Sequence, residues 1–245
     1  NLPNWKKIRQ IANKYKLIII EDSADTIDSK INNRSSGFYS DISITSFYGS
    51  HVINCAGNGG LMCTSNKKWS NDAKIYRSWG RSSSVFTESE NINDRLNYKI
   101  NNFDYDAKFI FEKIGYNFEP SEIGAAFGLE QLKKLKKFIK IRNNNYQKHV
   151  NFFLKWNKYF ILPRLQKNSS TNFLAFPIQI KTNIFTRKEL QIFLEKHNIQ
   201  TRVIFTGNIL EQPGFRNIKF IGNKKNYINA NKIMRNGMLI GCHQG

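Results

Sequence analysis

A short apolar run, Leu17-Ile18-Ile19-Ile20, constrains the fold of this chain more than any other feature of the sequence. Such a run is typical of a strand buried on both faces of a mainly parallel sheet. The periodicity predicts an amphipathic helix just before it, from Trp5 to Tyr15. Residues 21–25 follow directly, so Asp22 is expected at the carboxyl end of the strand, where open α/β sheets bind ligands. The run therefore predicts an α/β fold with a ligand site near Asp22.

The same alternation of strands and helices continues along the chain. Strands are predicted at 42–47, 61–64, 172–180, 200–205 and 238–240, and helices at 69–78, 120–156, 186–197 and 225–236. After the long helix the pattern changes to a regular succession of strand, helix and strand. This change predicts a large domain at 1–150 and a smaller α/β domain at 151–245. The segment from Gly80 to Asp106 lacks periodicity, and a loop of that length is typically a lid or a partner-contacting arm. Because the chain begins with Asn and stops in a loop-like sequence, we expect it to be a fragment.

Composition excludes several functional classes. A formal net charge of +20 attracts polyanions, but no zinc-finger spacing or aromatic RNA-binding signature is present, so nucleic-acid binding is not the expected main function. The three cysteines, Cys55, Cys63 and Cys242, show no C-x-x-C spacing, which argues against a disulfide framework or a zinc site and favours a reducing cytoplasm. No run of about 18 apolar residues predicts a membrane span.

His51 follows the hydroxyl-rich strand end at Ser46 and precedes a glycine-rich turn at Gly57–Gly60. It could be structural or exposed. A metal ligand is disfavoured because the other histidines lack ligand spacing, and a Ser-His hydrolase because no G-x-S-x-G elbow is present. The neighbouring hydroxyl and glycines favour a catalytic base, since imidazole moves protons near neutral pH. Asp22 has two interpretations as well: it caps the next turn, or it pairs with a cationic ligand group such as a protonated pyridine nitrogen.

Four motifs, at residues 21–25, 46–51, 57–60 and 115–126, resemble in order and spacing the vitamin-B6-dependent sugar aminotransferases of the DegT/DnrJ/EryC1/StrS family. The resemblance covers nearly the whole chain, which would correspond to the later two thirds of such a protein. It implies the fold type I architecture of pyridoxal-phosphate-dependent transferases, as in aspartate aminotransferase. That architecture has a large, mainly parallel mixed sheet domain and a smaller α/β C-terminal domain.

In that family the position of His51 is normally the lysine that holds pyridoxal phosphate as a Schiff base. Histidine there marks a subgroup, the 3-dehydratases of nucleotide-linked 4-keto-6-deoxyhexoses. The resemblance thus implies pyridoxamine phosphate bound without a covalent link, His51 as catalytic base and loss of the sugar's C3 hydroxyl, in making deoxysugars for surface polysaccharide. L-Glutamate would be the amino donor. Two alternatives stay open: a sugar aminotransferase that uses a lysine elsewhere, and a non-catalytic basic binding protein.

The resemblance assigns further roles one residue at a time. Asp22 would pair with the pyridinium nitrogen, and Ala24 would lie against the ring with Asp25 near its edge. Ser46 would donate to the cofactor phosphate, and Asn117 would reach that phosphate across a homodimer interface. Substrate contacts are expected near Arg202 and Asn208. Each also has a structural interpretation: Arg202 as a surface strand residue, and Asn208 as a helix cap.

One branch of these dehydratases carries a cysteine-ligated [2Fe–2S] cluster after a Trp-Gly-Arg motif. In this chain Trp79-Gly80-Arg81 is followed by three serines, Ser82-Ser83-Ser84, without a cysteine. A cluster needs about four thiolates, and the chain has three cysteines in all. We therefore expect no cluster, no bound metal and product release by hydrolysis.

Overall fold

The computed structural model describes residues 2–88 and 90–245. Its contacts divide the chain into two compact units. The N-terminal unit comprises residues 3–27 and 34–132, and the C-terminal unit comprises residues 2, 28–33 and 133–245. The assignment of whole domains at 1–150 and 151–245 stays a prediction. Among the described residues, no helix has the length and apolarity that crossing a membrane requires.

Six α-helices and twelve strands are assigned within the described residues. In chain order they are α1 (Trp5–Tyr15), β1 (Ile20–Asp22), β2 (Lys30–Ile31), β3 (Arg34–Ser35), β4 (Ile42–Ser46), β5 (Gly60–Cys63), α2 (Lys67–Arg77), α3 (Ile92–Leu96), β6 (Tyr98–Ile100), β7 (Phe103–Tyr105), α4 (Glu122–Leu154), β8 (Phe160–Ile161), β9 (Ser169–Ser170), β10 (Ala175–Ile180), α5 (Arg187–Lys196), β11 (Thr201–Val203), α6 (Ile228–Asn236) and β12 (Gly237–Gly241). The helices and strands predicted from periodicity are confirmed, most of them to within three residues at either end.

The N-terminal unit contains a mixed three-stranded sheet in the order β1-β4-β5. Strand β1 lies parallel to β4, with Asp22 opposite Ile44. Strand β4 lies antiparallel to β5, with Ser46 opposite Gly60. Because β1 and β4 run in the same direction, their carboxyl ends meet at one edge of the sheet. That edge carries the predicted site.

The expectation that residues 17–20 form a strand buried on both faces is wrong for this chain. The strand begins only at Ile20, and burial alternates along it: Ile19, Glu21 and Ser23 are buried, while Ile18 and Ile20 expose 59% and 65% of their surface. Successive side chains of a strand point to opposite faces, so this unit packs against one face only. A continuous apolar run cannot tell whether a layer covers the second face.

The segment from residue 80 to 106 contains more regular structure than its lack of periodicity predicts. It includes a 3-10 helix at Ser82–Val85, helix α3 and the two-stranded antiparallel sheet β6-β7. The guanidinium of Arg95 donates from Nε to Asp106 at 2.7 Å and lowers the pKa of that carboxyl. Ser89 lies outside the described residues, and a lid or partner-contacting role stays a prediction.

The C-terminal unit is built on a four-stranded antiparallel sheet in the order β11-β12-β10-β8. Strand β10 buries every second residue, including Phe176 and Ile178, and these pack with residues from the second half of α4, such as Tyr146 and Phe153. A half-buried strand requires that period-2 pattern. The unit therefore has its own apolar core.

Candidate active site

The turn after β1 is held firmly against β4. Glu21 is buried and accepts hydrogen bonds from the Ser23 hydroxyl at 2.6 Å and the backbone of Gly37 at 2.9 Å. The backbone of Ser23 donates to Ile44 at 2.9 Å, and its carbonyl accepts from the Thr45 hydroxyl at 3.2 Å. A buried carboxylate thus fixes the geometry of the residues that follow it.

Asp22 lies between two buried neighbours but is itself exposed. Its Oδ1 accepts from the backbone N–H of Ala24 at 3.1 Å, while Oδ2 has no hydrogen bond to a described residue. One oxygen therefore caps the turn, as the structural interpretation predicted, and the other stays free at the strand end. Both interpretations of Asp22 are compatible with this geometry.

His51 makes three contacts that define its position. Its backbone N–H donates to the carbonyl of Tyr48 at 2.9 Å. In the ring, Nδ1 lies 3.0 Å from the carbonyl oxygen of Ser46, and Nε2 lies 3.0 Å from Oδ1 of Asp25. The side chain of His51 is 16% exposed and that of Asp25 is 39% exposed. The imidazole is therefore held at both nitrogens, with a carboxylate at Nε2.

Sequence reasoning named Asp25 and His51 separately but missed their contact. Both residues follow the carboxyl end of a strand, and the two strands are parallel neighbours. That arrangement is the signal that could have placed them together, since parallel neighbours end at the same edge. The hydroxyl of Ser46 points to its own turn, where it accepts from the backbone of Tyr48 at 3.3 Å.

The glycine-rich turn closes over the segment that carries His51. The backbone of Phe47 donates to Gly59 at 2.9 Å, Gly49 donates to Gly57 at 3.0 Å, and Cys55 donates to Phe47 at 3.0 Å. Gly57 has a φ of 103°, which disfavours other residues. These bonds fold residues 47–59 into one compact loop.

Helix α4 packs on this loop through two glycines that sequence reasoning did not single out. A Cβ on Gly124 would lie 2.9 Å from the carbonyl oxygen of Cys55, and one on Gly128 would lie 2.6 Å from its Sγ. Their spacing of four residues places them on one face of the helix. The glycines therefore allow the helix backbone to approach the loop that positions His51.

Asn117 is held by a separate set of contacts. It pairs with Ser78, and its neighbours bond to the end of α2: the backbone of Tyr116 donates to Tyr76 at 2.7 Å and that of Phe118 donates to Arg77 at 2.9 Å. Asn117 is exposed. Within the described part of the chain, none of its hydrogen bonds is to Asp22, Ser46 or His51. Its predicted reach across a dimer interface stays a prediction.

The two predicted substrate residues belong to the C-terminal unit. Arg202 is an exposed residue of β11 whose Nη1 donates to the carbonyl of Thr201 at 2.7 Å. Asn208 is 3% exposed; its Oδ1 accepts from the backbone of Leu210 at 3.1 Å and its Nδ2 donates to Asn231 at 2.7 Å. The two structural interpretations, strand residue and helix cap, describe these positions, and substrate contact stays a prediction for both.

No group of three or more His, Cys, Asp or Glu side chains within residues 2–88 and 90–245 is arranged to hold a metal ion. The three cysteines have free thiols: Cys55 is half-buried, Cys63 exposed and Cys242 buried. Burial raises the pKa of the Cys242 thiol to about 11. The thiol of Cys242 is therefore protonated at neutral pH.

Comparison with known proteins gives a match along the whole chain. The sequence profile of the DegT/DnrJ/EryC1/StrS aminotransferase family matches residues 2–245. The lipopolysaccharide biosynthesis protein RfbH of Salmonella typhimurium is 30% identical over 100% of this chain and 56% of its own length. The dTDP-4-dehydro-2,6-dideoxy-D-glucose 3-dehydratase of Saccharopolyspora spinosa is 31% identical over 87% of this chain and 47% of its own length. Three transaminases of nucleotide-linked amino sugars are also similar, at 25% to 28% identity.

Solved structures show the same fold. The E. coli GDP-4-keto-6-deoxy-D-mannose-3-dehydratase with bound hydrated PLP superposes with a TM-score of 0.82 at 26% identity, over 100% of this chain and 61% of that chain. The fold is therefore that of the pyridoxal-phosphate-dependent aminotransferases, as the sequence predicted. This chain spans about half the length of the two curated relatives named above.

Proposed function

The chain belongs to the DegT/DnrJ/EryC1/StrS aminotransferase family, and on that premise we propose that it is part of a pyridoxamine-phosphate-dependent 3-dehydratase. Its substrate would be a nucleotide-linked 4-keto-6-deoxyhexose, and its product would enter deoxysugar synthesis for surface polysaccharide. The names of the relatives support the substrate class: two are named as 3-dehydratases of nucleotide-linked 4-dehydro or 4-keto deoxysugars, and one as a lipopolysaccharide biosynthesis protein.

The observation that carries the proposal is the side chain of His51. A Schiff base requires a primary amine, and imidazole has none, so a Schiff base from this position to pyridoxal phosphate is excluded. His51 lies at the sheet edge where β1 and β4 end, beside Asp25. An imidazole held there can accept or donate a proton at Nε2. That ability suits an elimination, which needs a proton acceptor and a proton donor.

The side chains at this edge fit a B6 cofactor. The free Oδ2 of Asp22 would receive the protonated ring nitrogen and keep it charged. Ala24 offers a small, half-buried side chain for the flat ring, and the Ser46 hydroxyl can donate to a phosphate. When bound, pyridoxamine phosphate would supply a primary amine for the sugar ketone and a conjugated ring that withdraws electrons. The protein's residues would then supply position and proton transfer.

A homodimer with shared sites is part of the proposal. The segment around Asn117 exposes three large apolar side chains, by 97% at Ile114, 61% at Tyr116 and 68% at Phe118. Exposed apolar patches of this kind mark association surfaces. A second copy bound to this surface would bring Asn117 to its neighbour's cofactor phosphate. As a separate part of the proposal, L-glutamate would serve as the amino donor.

The proposal is tested by adding L-glutamate to the full-length protein loaded with pyridoxal phosphate. The absorbance of the pyridoxamine form should appear, and a nucleotide-linked 4-keto-6-deoxyhexose should then yield a 3-deoxy product by mass spectrometry. CDP- and GDP-linked sugars are tried side by side to define the nucleotide. If neither the pyridoxamine form nor a 3-deoxy product accumulates, the proposal is wrong.

The similarity to sugar transaminases favours a second candidate, a nucleotide-sugar aminotransferase that uses a lysine elsewhere. Borohydride reduction of the loaded protein separates the two. A covalent cofactor–lysine adduct would select the aminotransferase, whereas the dehydratase should lose its cofactor on denaturation even after reduction. A His51→Asn variant should retain the cofactor and lose dehydration.

A further inference from the structure

We propose that the C-terminal unit binds anionic membrane surfaces through a patch at the end of α4. We call it the basic-aromatic patch, and it consists of Lys148, Phe152, Lys155, Trp156 and Lys158. This inference goes beyond the proposed function and does not depend on it. It rests on the charge and the exposed side chains of the C-terminal unit, and not on the chemistry of the candidate active site.

The positive charge of the protein is concentrated in the C-terminal unit. That unit contains 23 lysines and arginines and 4 aspartates and glutamates, a formal net charge of +19. The N-terminal unit contains 15 and 14 respectively, a net charge of +1. Residues 131–188 alone contain 14 lysines and arginines and no acidic residue. A field of one sign on this scale attracts anionic surfaces.

The carboxylates of the C-terminal unit do not neutralise its basic side chains. Among the described residues, no ion pair joins a lysine or arginine of residues 134–245 to a carboxylate. Instead, Glu189 accepts from the backbone of Thr186 at 2.7 Å, and Glu195 accepts from the backbone of Thr201 at 2.5 Å. The positive field of this unit is therefore available to an external partner.

The second half of α4 separates a core face from an exposed face. Tyr146 and Phe153 are buried in the core of the C-terminal unit. Lys148 and Phe152 lie four residues apart and so share another face of the helix. Lys148 is exposed, and Phe152 exposes 56% of its surface. This face thus presents a cation and an apolar ring side by side to the solvent.

The tryptophan of the patch is fixed at the surface. The backbone N–H of Trp156 donates to the carbonyl of Phe153 at 3.0 Å, so the chain makes one more turn after α4 ends. The indole of Trp156 is 45% exposed and stacks with the ring of Tyr159, with centroids 6.4 Å apart. The ammonium group of Lys158 lies over the same Tyr159 ring, 4.7 Å from its centroid. Lys155, which precedes the tryptophan, is exposed.

This combination of side chains matches the interface of an anionic membrane. Aromatic rings settle among lipid headgroups, and lysine stems extend their ammonium groups to the lipid phosphates. Nucleic acid also attracts lysines and stacks on aromatic rings. However, two aliphatic side chains next to the patch in the chain are exposed as well, Leu154 by 51% and Ile161 by 46%. Aliphatic groups offer no π-face to a base but gain from burial at the acyl boundary, which favours lipid.

Binding of the full-length protein to sucrose-loaded vesicles, measured by sedimentation, tests the charge. Vesicles of equal parts phosphatidylcholine and phosphatidylglycerol should bind the protein, and pure phosphatidylcholine should not. The triple variant Lys148→Gln/Lys155→Gln/Lys158→Gln should lower the affinity about 100-fold, since each lysine near an anionic surface contributes about fivefold. The matched control, Lys6→Gln/Lys7→Gln/Lys14→Gln in α1, removes the same charge from the nearly neutral unit and should lower it less than about threefold. Circular dichroism verifies that both variants are folded.

Insertion of the aromatic side chains is measured separately by tryptophan fluorescence. Vesicles that contain brominated phosphatidylcholine should quench the bound protein, and Trp156→Phe should lose that quenching while it stays folded. Phe152→Ser should lower the vesicle affinity about 10-fold. Absence of binding to anionic vesicles would overturn the proposal, as would equal losses in the two triple variants or quenching that persists in Trp156→Phe. Tighter binding of single-stranded RNA than of vesicles through the same three lysines would also overturn it and identify a nucleic-acid surface.

Discussion

Gly128 offers the sharpest test of how helix α4 supports the His51 loop. An alanine in a helix interior stabilises by about 1 kcal/mol relative to glycine. Here the new Cβ would lie 2.6 Å from Sγ of Cys55, and that sulfur is confined on its other side, since a Cβ on Gly59 would lie 3.2 Å from it. Overpacking of this kind costs about 1–3 kcal/mol. We therefore expect Gly128→Ala to change the free energy of unfolding by about 0 to 2 kcal/mol in the destabilising direction.

Removing the sulfur of Cys55 should reverse the sign of the effect of Gly128→Ala on the free energy of unfolding. In a Cys55→Ala background the nearest remaining atom of residue 55 is Cβ, 3.8 Å from the added methyl, an ordinary contact. Gly128→Ala should then stabilise by about 1 kcal/mol, so the coupling energy of the double-mutant cycle is about 1–3 kcal/mol. Urea unfolding of the four proteins, followed by circular dichroism, measures it.

Gly124 is the matched control, because its added Cβ would lie 2.9 Å from the backbone oxygen of Cys55 rather than from the sulfur. Gly124→Ala should destabilise, and Cys55→Ala should not rescue it. A coupling near zero for Gly128 and Cys55 would refute the close packing of α4 on the loop. Equal rescue at both glycines would refute the assignment of the two contacts to different atoms.

Two further predictions concern titration and thiol chemistry. The backbone N–H of Ile19, together with the guanidinium of Arg9, holds the pKa of Asp41 below its ordinary value against the opposite effect of burial. Because the pKa of Asp41 is lower in the folded state than in the unfolded state, the ionised carboxylate stabilises the folded protein at pH values above the unfolded pKa of 3.8. This stabilisation is lost as the pH falls through the folded pKa. Asp41→Asn should therefore lower the urea midpoint at pH 7, with a difference that shrinks below pH 4; a difference independent of pH contradicts this. Burial raises the pKa of the Cys242 thiol from the ordinary value of 9.0 to about 11, which lowers its thiolate fraction at pH 8.5 roughly 100-fold. Iodoacetamide at pH 8.5 should therefore label Cys242 only after unfolding. Rapid labelling of the folded protein, measured by mass spectrometry, would contradict the burial.

Local sequence patterns determined the helices and strands of this protein. The helix at Trp5–Tyr15 and the alternating strand at Ala175–Ile180 follow from their apolar periodicity, because burial of one face imposes a period on the sequence. The order of four short motifs indicated the family. The sequence also identified His51, which follows β4, as a candidate for proton transfer. These features depend on residues near each other in the chain.

Tertiary structure decided which of these residues meet and which faces are covered. Asp25 and His51 follow two different strands, and the parallel pairing of β1 with β4 brings their side chains to 3.0 Å from each other. The apolar run at 17–20 predicted two buried faces, yet burial of a face depends on what packs against it, and one face of β1 is exposed. The bonds of Asn208 to Leu210 and Asn231 are likewise set by the fold, since the sequence offered a helix cap as only one interpretation of this residue. The sequence alone determined which chemical groups are available, and the fold decided their partners, because contact is set by distance in space and not along the chain.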